Sequence, residues 1–134
     1  MSSYESNRGL TYTAGASVRI GQIVELAADG RVVPASPGST TILGSALDNS
    51  VETVSGDATS EIGSTISVQP LDGAKVPAIA AAAIAIATPV TVAADGQVIA
   101  ATSGDPVIGF TLEAVAAAGE RCPIVLQPQP GLLA

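Results

Sequence analysis

The sequence predicts an all-β protein, a small β-barrel or sandwich built from two similar halves. Three observations carry this expectation. The phrase VELAADGRVV at Val24–Val33 returns as VTVAADGQVI at Val90–Ile99. Each copy sets Asp-Gly between alternating apolar residues, the strongest short-range signal for a β-hairpin. Gly and Pro punctuate the rest of the chain at short intervals, leaving little room for helix.

Laying Asp29-Gly30 over Asp95-Gly96 gives an offset of 66 residues that holds well beyond the turn. Upstream, Gly15-Ala16 falls on Ala81-Ala82, and Val18 and Ile20 fall on Ile84 and Ile86. Downstream, after one residue is dropped, ILGSAL at Ile42–Leu47 lies over VIGFTL at Val107–Leu112. The copies then close alike, ISVQP at Ile66–Pro70 over IVLQP at Ile124–Pro128. This defines copies over residues 10–70 and 76–128 of one β domain, 10–128, the first copy being longer by a loop at Asp48–Gly63. A polar N-terminal arm, residues 1–9, and an extended Pro-rich tail, residues 129–134, flank the domain, and both are expected to be mobile in the free protein.

Each element follows from local chemistry. A two-residue type I′ turn at Asp-Gly pairs Ala28 with Arg31, Leu26 with Val33 and Val24 with Ala35. In the second copy it pairs Ala94 with Gln97, Val92 with Ile99 and Val90 with Ala101, leaving Glu25 and Thr91 toward water. ILG and VIG read as short buried strands whose Gly44 and Gly109 mark a bulge or a close backbone approach. The closing strands place Ser64, Ile66 and Val68 on one face, and Cys122, Ile124 and Leu126 on the other copy's equivalent, with Gln-Pro ending both. Ala78–Ala87 has helical propensity, but its partner TYTAGASVRIG does not, so a turn plus a short strand is expected, with at most one helical turn at Ala80–Ala83. Leu112–Glu120 is the place for one short helix, stopped by Gly119. That allows at most one or two short helices in all, and neither half is expected to bury its apolar face alone.

Composition narrows function mainly by exclusion. A chain of 134 residues is long enough to bury about 65–70% of its unfolded surface. The core must be made of small pieces, since Tyr4, Tyr12 and Phe110 are the only aromatics, and that argues against a deep small-molecule pocket. Twelve acidic residues against five scattered basic ones give a net charge of −7, unsuited to nucleic acid. Val76–Ala94 is uncharged but Ala-dominated and broken by Pro77 and Pro89, so no membrane span is expected. The lone Cys122 and the polar start MSSYESNRGL fit an unsecreted product of a reducing cytosol.

No catalytic, cofactor or metal site is expected from the residues. Asp29 and Asp95 could act as paired carboxylates, yet two alanines precede each one where a calcium loop would alternate oxygen donors. Asp simply favours turns. Cys122 follows Arg121, but the chain contains no His to serve as its base, and its parity with Ile124 and Leu126 points it inward. The same lack of His removes Ser-His-Asp catalysis and imidazole ligation.

The order RIGQIVELAADGRVV…ILGSAL and AIATPVTVAADGQVI…VIGFTLEAVAAAGERCPIVL resembles the small bacteriophage capsid decoration proteins, also called cement or head-stabilisation proteins, over most of Leu10–Pro128. The resemblance implies a β-rich, non-enzymatic structural protein, made in the host cytoplasm, that binds the exterior of an icosahedral head and stabilises the lattice. It further implies a homotrimer whose partner is the major capsid protein, and an N-terminal arm that orders on the shell. Tyr4, Leu10 and Tyr12 would be the arm's capsid-binding anchors. A receptor- or glycan-binding module of a head or tail fibre is the competing expectation, with Asp48–Gly63 as its binding loop.

Overall fold

The computed structural model describes residues 10–16, 18–39, 41–47, 65–71 and 73–132, the side chains of residues 10, 65 and 127–132 excepted. The arm over residues 1–9 and the loop Asp48–Gly63 therefore lie outside the described residues. Strands β1 (Leu10–Thr13), β2 (Ile23–Leu26), β3 (Val32–Pro34), β4 (Ile42–Ala46) and β5 (Thr65–Pro70) form one antiparallel sheet in the order β1-β5-β4-β2-β3. Strands β6 (Lys75–Ile79), β7 (Pro89–Val92), β8 (Val98–Ala100), β9 (Pro106–Thr111) and β10 (Arg121–Leu132) form a second in the order β6-β10-β9-β7-β8. The two orders are the same order. The all-β architecture with two similar halves is thus the one the repeated phrase predicts.

Each sheet curls until its outer strands meet. Just past β1, Ala14 makes a parallel bridge to Val32, and just past β6, Ala80 makes the same bridge to Val98. The bonds that seal the two closures are Gly15 N–H to the Val32 carbonyl at 2.7 Å and Ala81 N–H to the Val98 carbonyl at 2.8 Å. Closure satisfies edge groups and leaves a narrow interior, which small β-branched side chains fill. In the first half Val18, Val24, Val32, Ala46, Ile66 and Val68 form that interior without help from the second half. The second half's interior is larger and draws in Ile23 and Ala35 from the first. The halves thus share only one of their two hydrophobic clusters, not the single common interior expected.

The hairpin register differs from expectation by one residue in both copies. Leu26 pairs with Val32 and Val24 with Pro34; likewise Val92 pairs with Val98 and Val90 with Ala100. In the first copy the loop holds three residues. Gly30 N–H bonds the Ala27 carbonyl at 3.0 Å, Ala27 N–H bonds the Arg31 carbonyl at 2.8 Å, and Gly30 sits at φ +86°. That is a type I turn followed by a left-handed glycine bulge. In the second copy Asp95 (φ 58°) and Gly96 (φ 70°) do make the type I′ turn, closed by Gln97 N–H to the Ala94 carbonyl at 3.2 Å. A bulge follows at once, Ala93 N–H also reaching the Gln97 carbonyl at 2.7 Å. The extra position turns Val32 and Val98 into the core in place of Val33 and Ile99. Glu25 stays half-exposed, whereas Thr91 is buried.

Other expectations are corrected by pairing. No α-helix occurs among the described residues. Ala80–Ala83 is a bridge and bends, and within Leu112–Glu120 Val115 bridges Ile84 through two backbone bonds of 2.9 and 3.1 Å. Pairing to two chain segments outweighs the helical propensity of these alanines. Gly44 and Gly109 are both close approaches: a methyl group would collide with the carbonyl of Gln69 in one and of Val125 in the other. Those contacts, with Leu10↔Val68 matching Val76↔Ile124, place Val68 over Ile124 and Pro70 over Leu126. The Gln-Pro match is therefore two residues out of step. Consistently, β5 ends at Pro70, but β10 passes Pro128 and pairs Gly131 with Val107 and Leu132 with Pro106, so part of the supposed tail is strand.

Gly21 and Ala87 occupy the same place in the two halves. Gly21 (φ +93°) donates to the Ala46 carbonyl and Ala87 (φ +59°) to the Thr111 carbonyl, each at 3.0 Å. A left-handed alanine costs about 1–2 kcal/mol relative to helix-region backbone, against roughly 0.4–1 kcal/mol of extra chain entropy for glycine in the unfolded state. Ala87→Gly should therefore raise the urea midpoint by an amount equivalent to roughly 0.5 kcal/mol or more; a lowered midpoint would show that Ala87 is unstrained.

Candidate functional site

The two Asp-Gly turns, identical in sequence, have different surroundings. At Gly30 an added methyl group would meet nothing within 4 Å, and Asp29 Oδ1 only accepts the Arg31 N–H at 3.0 Å. Gly96 instead docks on the first half. Its N–H donates to the Ala35 carbonyl at 2.9 Å, and a methyl group there would collide with the Ile23 carbonyl. Gln22 completes the junction: its Oε1 accepts Arg19 N–H at 2.7 Å while its Nε2 donates to the Asp95 carbonyl at 2.9 Å. These partners fix the amide's orientation, because only its oxygen can accept and only its nitrogen can donate.

Beside this junction a groove of about 450 Å³ lies between the halves, lined by Arg19, Gln22 and Pro34 from the first and Ile79, Asp95, Gln97, Gly119 and Arg121 from the second. Two guanidinium groups, two amides and one carboxylate give it a polar rim capable of hydrogen bonds and ion pairs with a partner surface. Among the described residues, no group of three or more Cys, Asp or Glu could hold a metal ion. Asp29 stands in the exposed turn of the first half while Asp95 lines the groove of the second. Cys122 is buried beside Ile124 and Leu126, its thiol 3.8 Å from the Glu113 carbonyl. Burial first, and the nearby Glu113 carboxylate second, push its pKa up.

The sequence-predicted anchors are separated. Tyr4 lies outside the described residues. Leu10 and Tyr12 belong to β1, paired with Val68 and Ile66, and Tyr12 packs half-buried against the first-half interior. Both are strand residues of the body, outside the arm over residues 1–9. The groove was not foreseen, because its walls come from segments about 100 residues apart, Arg19 and Arg121, which no spacing in the sequence connects.

No family model matches the chain, and no curated protein matches it. Among solved structures, the chain is similar to the head fiber gp8.5 N base in bacteriophage phi29, with a TM-score of 0.64, 16% identity, and coverage of 92% of this chain and 96% of that one. Likeness over nearly both full lengths at so low an identity establishes a shared fold.

Two measurements probe the junction and the thiol. Gly96→Ala should destabilise by about 2–4 kcal/mol, since the methyl meets main chain, whereas Gly30→Ala, facing only its positive φ, should cost about 1–2 kcal/mol; equal losses on chemical denaturation would contradict the docking. For Cys122 the folded pKa exceeds the unfolded one, so its stabilising effect is complete below about pH 8.5 and fades as pH rises above it. The stability difference between wild type and Cys122→Ala should accordingly shrink from pH 7.5 to pH 10, and a constant difference would show an exposed thiol.

Proposed function

We propose that the chain is a non-enzymatic structural protein of a phage head, held on the outside of the shell by contacts with the major capsid protein. The observation that carries this reading is the fold it has in common with a head-fibre base over 92% of its length. Independent support comes from the build of the molecule: two closed sheets, a polar groove and a net charge of −7, well suited to an exterior surface away from packaged DNA. A surface protein repeated over a lattice gains avidity from many weak contacts and needs no deep pocket.

Within this reading, lattice reinforcement by a homotrimer is the role implied by the sequence resemblance. The solved neighbour, a head-fibre base, favours a second version, in which the body seats an appendage on the shell. A receptor- or glycan-binding module is the remaining alternative, and the scarcity of aromatics weighs against it.

Sedimentation with expanded, undecorated heads of the encoding phage distinguishes these. Co-pelleting that saturates near one trimer per threefold position is expected, and removal of residues 1–9, which leaves β1 intact, should abolish it if the arm orders on the shell. Glycan binding with no head binding would overturn the proposal.

A further inference from the structure

We propose that Asp29-Gly30 is a site of spontaneous covalent modification in the folded chain, where the aspartate converts to isoaspartate, and that docking between the halves protects the identical Asp95-Gly96 from the same reaction. Both aspartates stand in the sequence Ala-Ala-Asp-Gly, at residues 27–30 and 93–96. The local chemistry is therefore the same at both. What differs is the freedom of the backbone.

The reaction is intramolecular. The Gly30 main-chain nitrogen attacks Cγ of the protonated Asp29 carboxyl, the new N–Cγ bond closes a five-membered imide, and the amide hydrogen leaves with the carboxyl hydroxyl as water. One water molecule then opens the ring. Addition at Cγ restores aspartate, whereas addition at the main-chain carbonyl carbon leaves the chain running through Cβ and Cγ and turns the former main-chain carbonyl into a free carboxylate. The water lost is the water regained, and no oxidant, metal or enzyme takes part. Glycine after the aspartate favours closure, because no side chain shields the attacking nitrogen and the backbone there turns freely.

Closure brings nitrogen and Cγ together, so the peptide plane between Asp and Gly must rotate out of the turn. At Asp29 that rotation breaks two bonds, both inside the loop: Gly30 N–H to the Ala27 carbonyl and Arg31 N–H to Asp29 Oδ1, each 3.0 Å. Residues Ala28, Asp29, Gly30 and Arg31 are all exposed, and a methyl group added at Gly30 would meet nothing within 4 Å. At Asp95 the same rotation breaks the joint between the halves. There Gly96 N–H is held by the Ala35 carbonyl and the Asp95 carbonyl by Gln22 Nε2, each at 2.9 Å, and Gly96 is buried against the Ile23 carbonyl. Openings confined to an exposed loop are the easiest in a folded protein, while those that part packed units approach the cost of unfolding. Attack at Asp95 must wait for the second kind.

The effect of conversion is local as well. One extra atom enters the backbone between β2 and β3, and the bond from Arg31 N–H to Asp29 Oδ1 is lost, while a carboxylate remains and the net charge of −7 is unchanged. The free turn is thus the point at which copies of this chain record their age, and the docked turn keeps its original chemistry.

The test is ageing of the full chain at physiological temperature in mildly acidic buffer, followed by tryptic digestion, chromatographic separation of the isomers and mass spectrometry. Cleavage after Arg19, Arg31, Lys75 and Arg121 puts the two turns on separate peptides, 20–31 and 76–121; Asp72-Gly73, whose aspartate lies outside the described residues, falls on a third, 32–75. A protein isoaspartate methyltransferase, which esterifies the freed carboxylate with a methyl group from S-adenosylmethionine, identifies the product. Isoaspartate should accumulate at Asp29 at least about tenfold faster than at Asp95 in the folded chain. In concentrated urea, where no docking remains, the two rates should agree to within about twofold. Absence of conversion at Asp29, equal rates in the folded chain, faster conversion at Asp95, or a ratio that urea leaves unchanged would each overturn the proposal.

Discussion

Closure of a five-stranded sheet by a single parallel bridge is the constraint on which the rest of this structure depends. For β1 to meet β3 and β6 to meet β8, the chain must bring Gly15 and Ala81 within hydrogen-bond distance of the Val32 and Val98 carbonyls. Gly15 shows how tight that is, since an added methyl group would lie 3.1 Å from both Arg31 Cβ and Val33 Cγ1. A barrel this narrow has room for Val, Ile and Ala but little for rings. The composition that looked like a shortage of aromatics is thus the filling of two small interiors. The same narrowness forces the backbone contacts at Gly44 and Gly109, where one strand crosses so near the next that a Cβ cannot fit.

A second constraint comes from having two closed sheets on one chain. A closed sheet offers no long free edge, so its neighbour must attach through turns, bridge ends and side chains. Here the attachment uses the Asp-Gly turn of the second half. Docking explains why identical dipeptides differ in conformation. Asp95 is held at φ 58° with its carbonyl engaged by Gln22 and the next N–H committed to Ala35, while in the first half the corresponding bond closes locally onto Ala27. Local sequence permits both forms, since Asp tolerates the left-handed region and Gly prefers it. Tertiary contact selects between them.

This separation of local permission from tertiary choice accounts for what could be read in advance. Duplication, hairpins, and the tight passages at Gly44 and Gly109 were legible because the repeated Asp-Gly and the matched Leu43-Gly44 and Ile108-Gly109 report backbone needs directly. The one-residue slip of both hairpins was not, because a two-residue loop and a three-residue loop with a bulge share the same signature residues. Matching Gln-Pro pairs misled the alignment of the closing strands, since the eye aligns identity while the sheet aligns hydrogen bonds; both registers kept Cys122, Ile124 and Leu126 on one face, so the core prediction survived the error. Alanines at Ala78–Ala87 and Leu112–Glu120 carried a helical propensity that bridging to β8 and between Ile84 and Val115 overrode. As for the site, the groove could not be read at all, and Leu10 and Tyr12 were assigned to an arm because polar neighbours concealed that their alternation already matched Val68 and Ile66.

The asymmetry of the internal contact bears on how such a molecule can work. A duplicated chain whose halves met through like faces would satisfy both at once and leave a surface with no memory of the interface. Meeting through unlike faces lets the halves diverge: Gly96 N–H is spent on the Ala35 carbonyl across the junction, whereas Gly30 N–H is spent on the Ala27 carbonyl within its own turn. The surfaces diverge as well: Leu26 on the first half is exposed where its match Val92 is buried, and Phe110 on the second is exposed where its match Ser45 is buried. Divergence of this kind lets one sequence motif serve as a free turn in one half and as a fixed joint in the other.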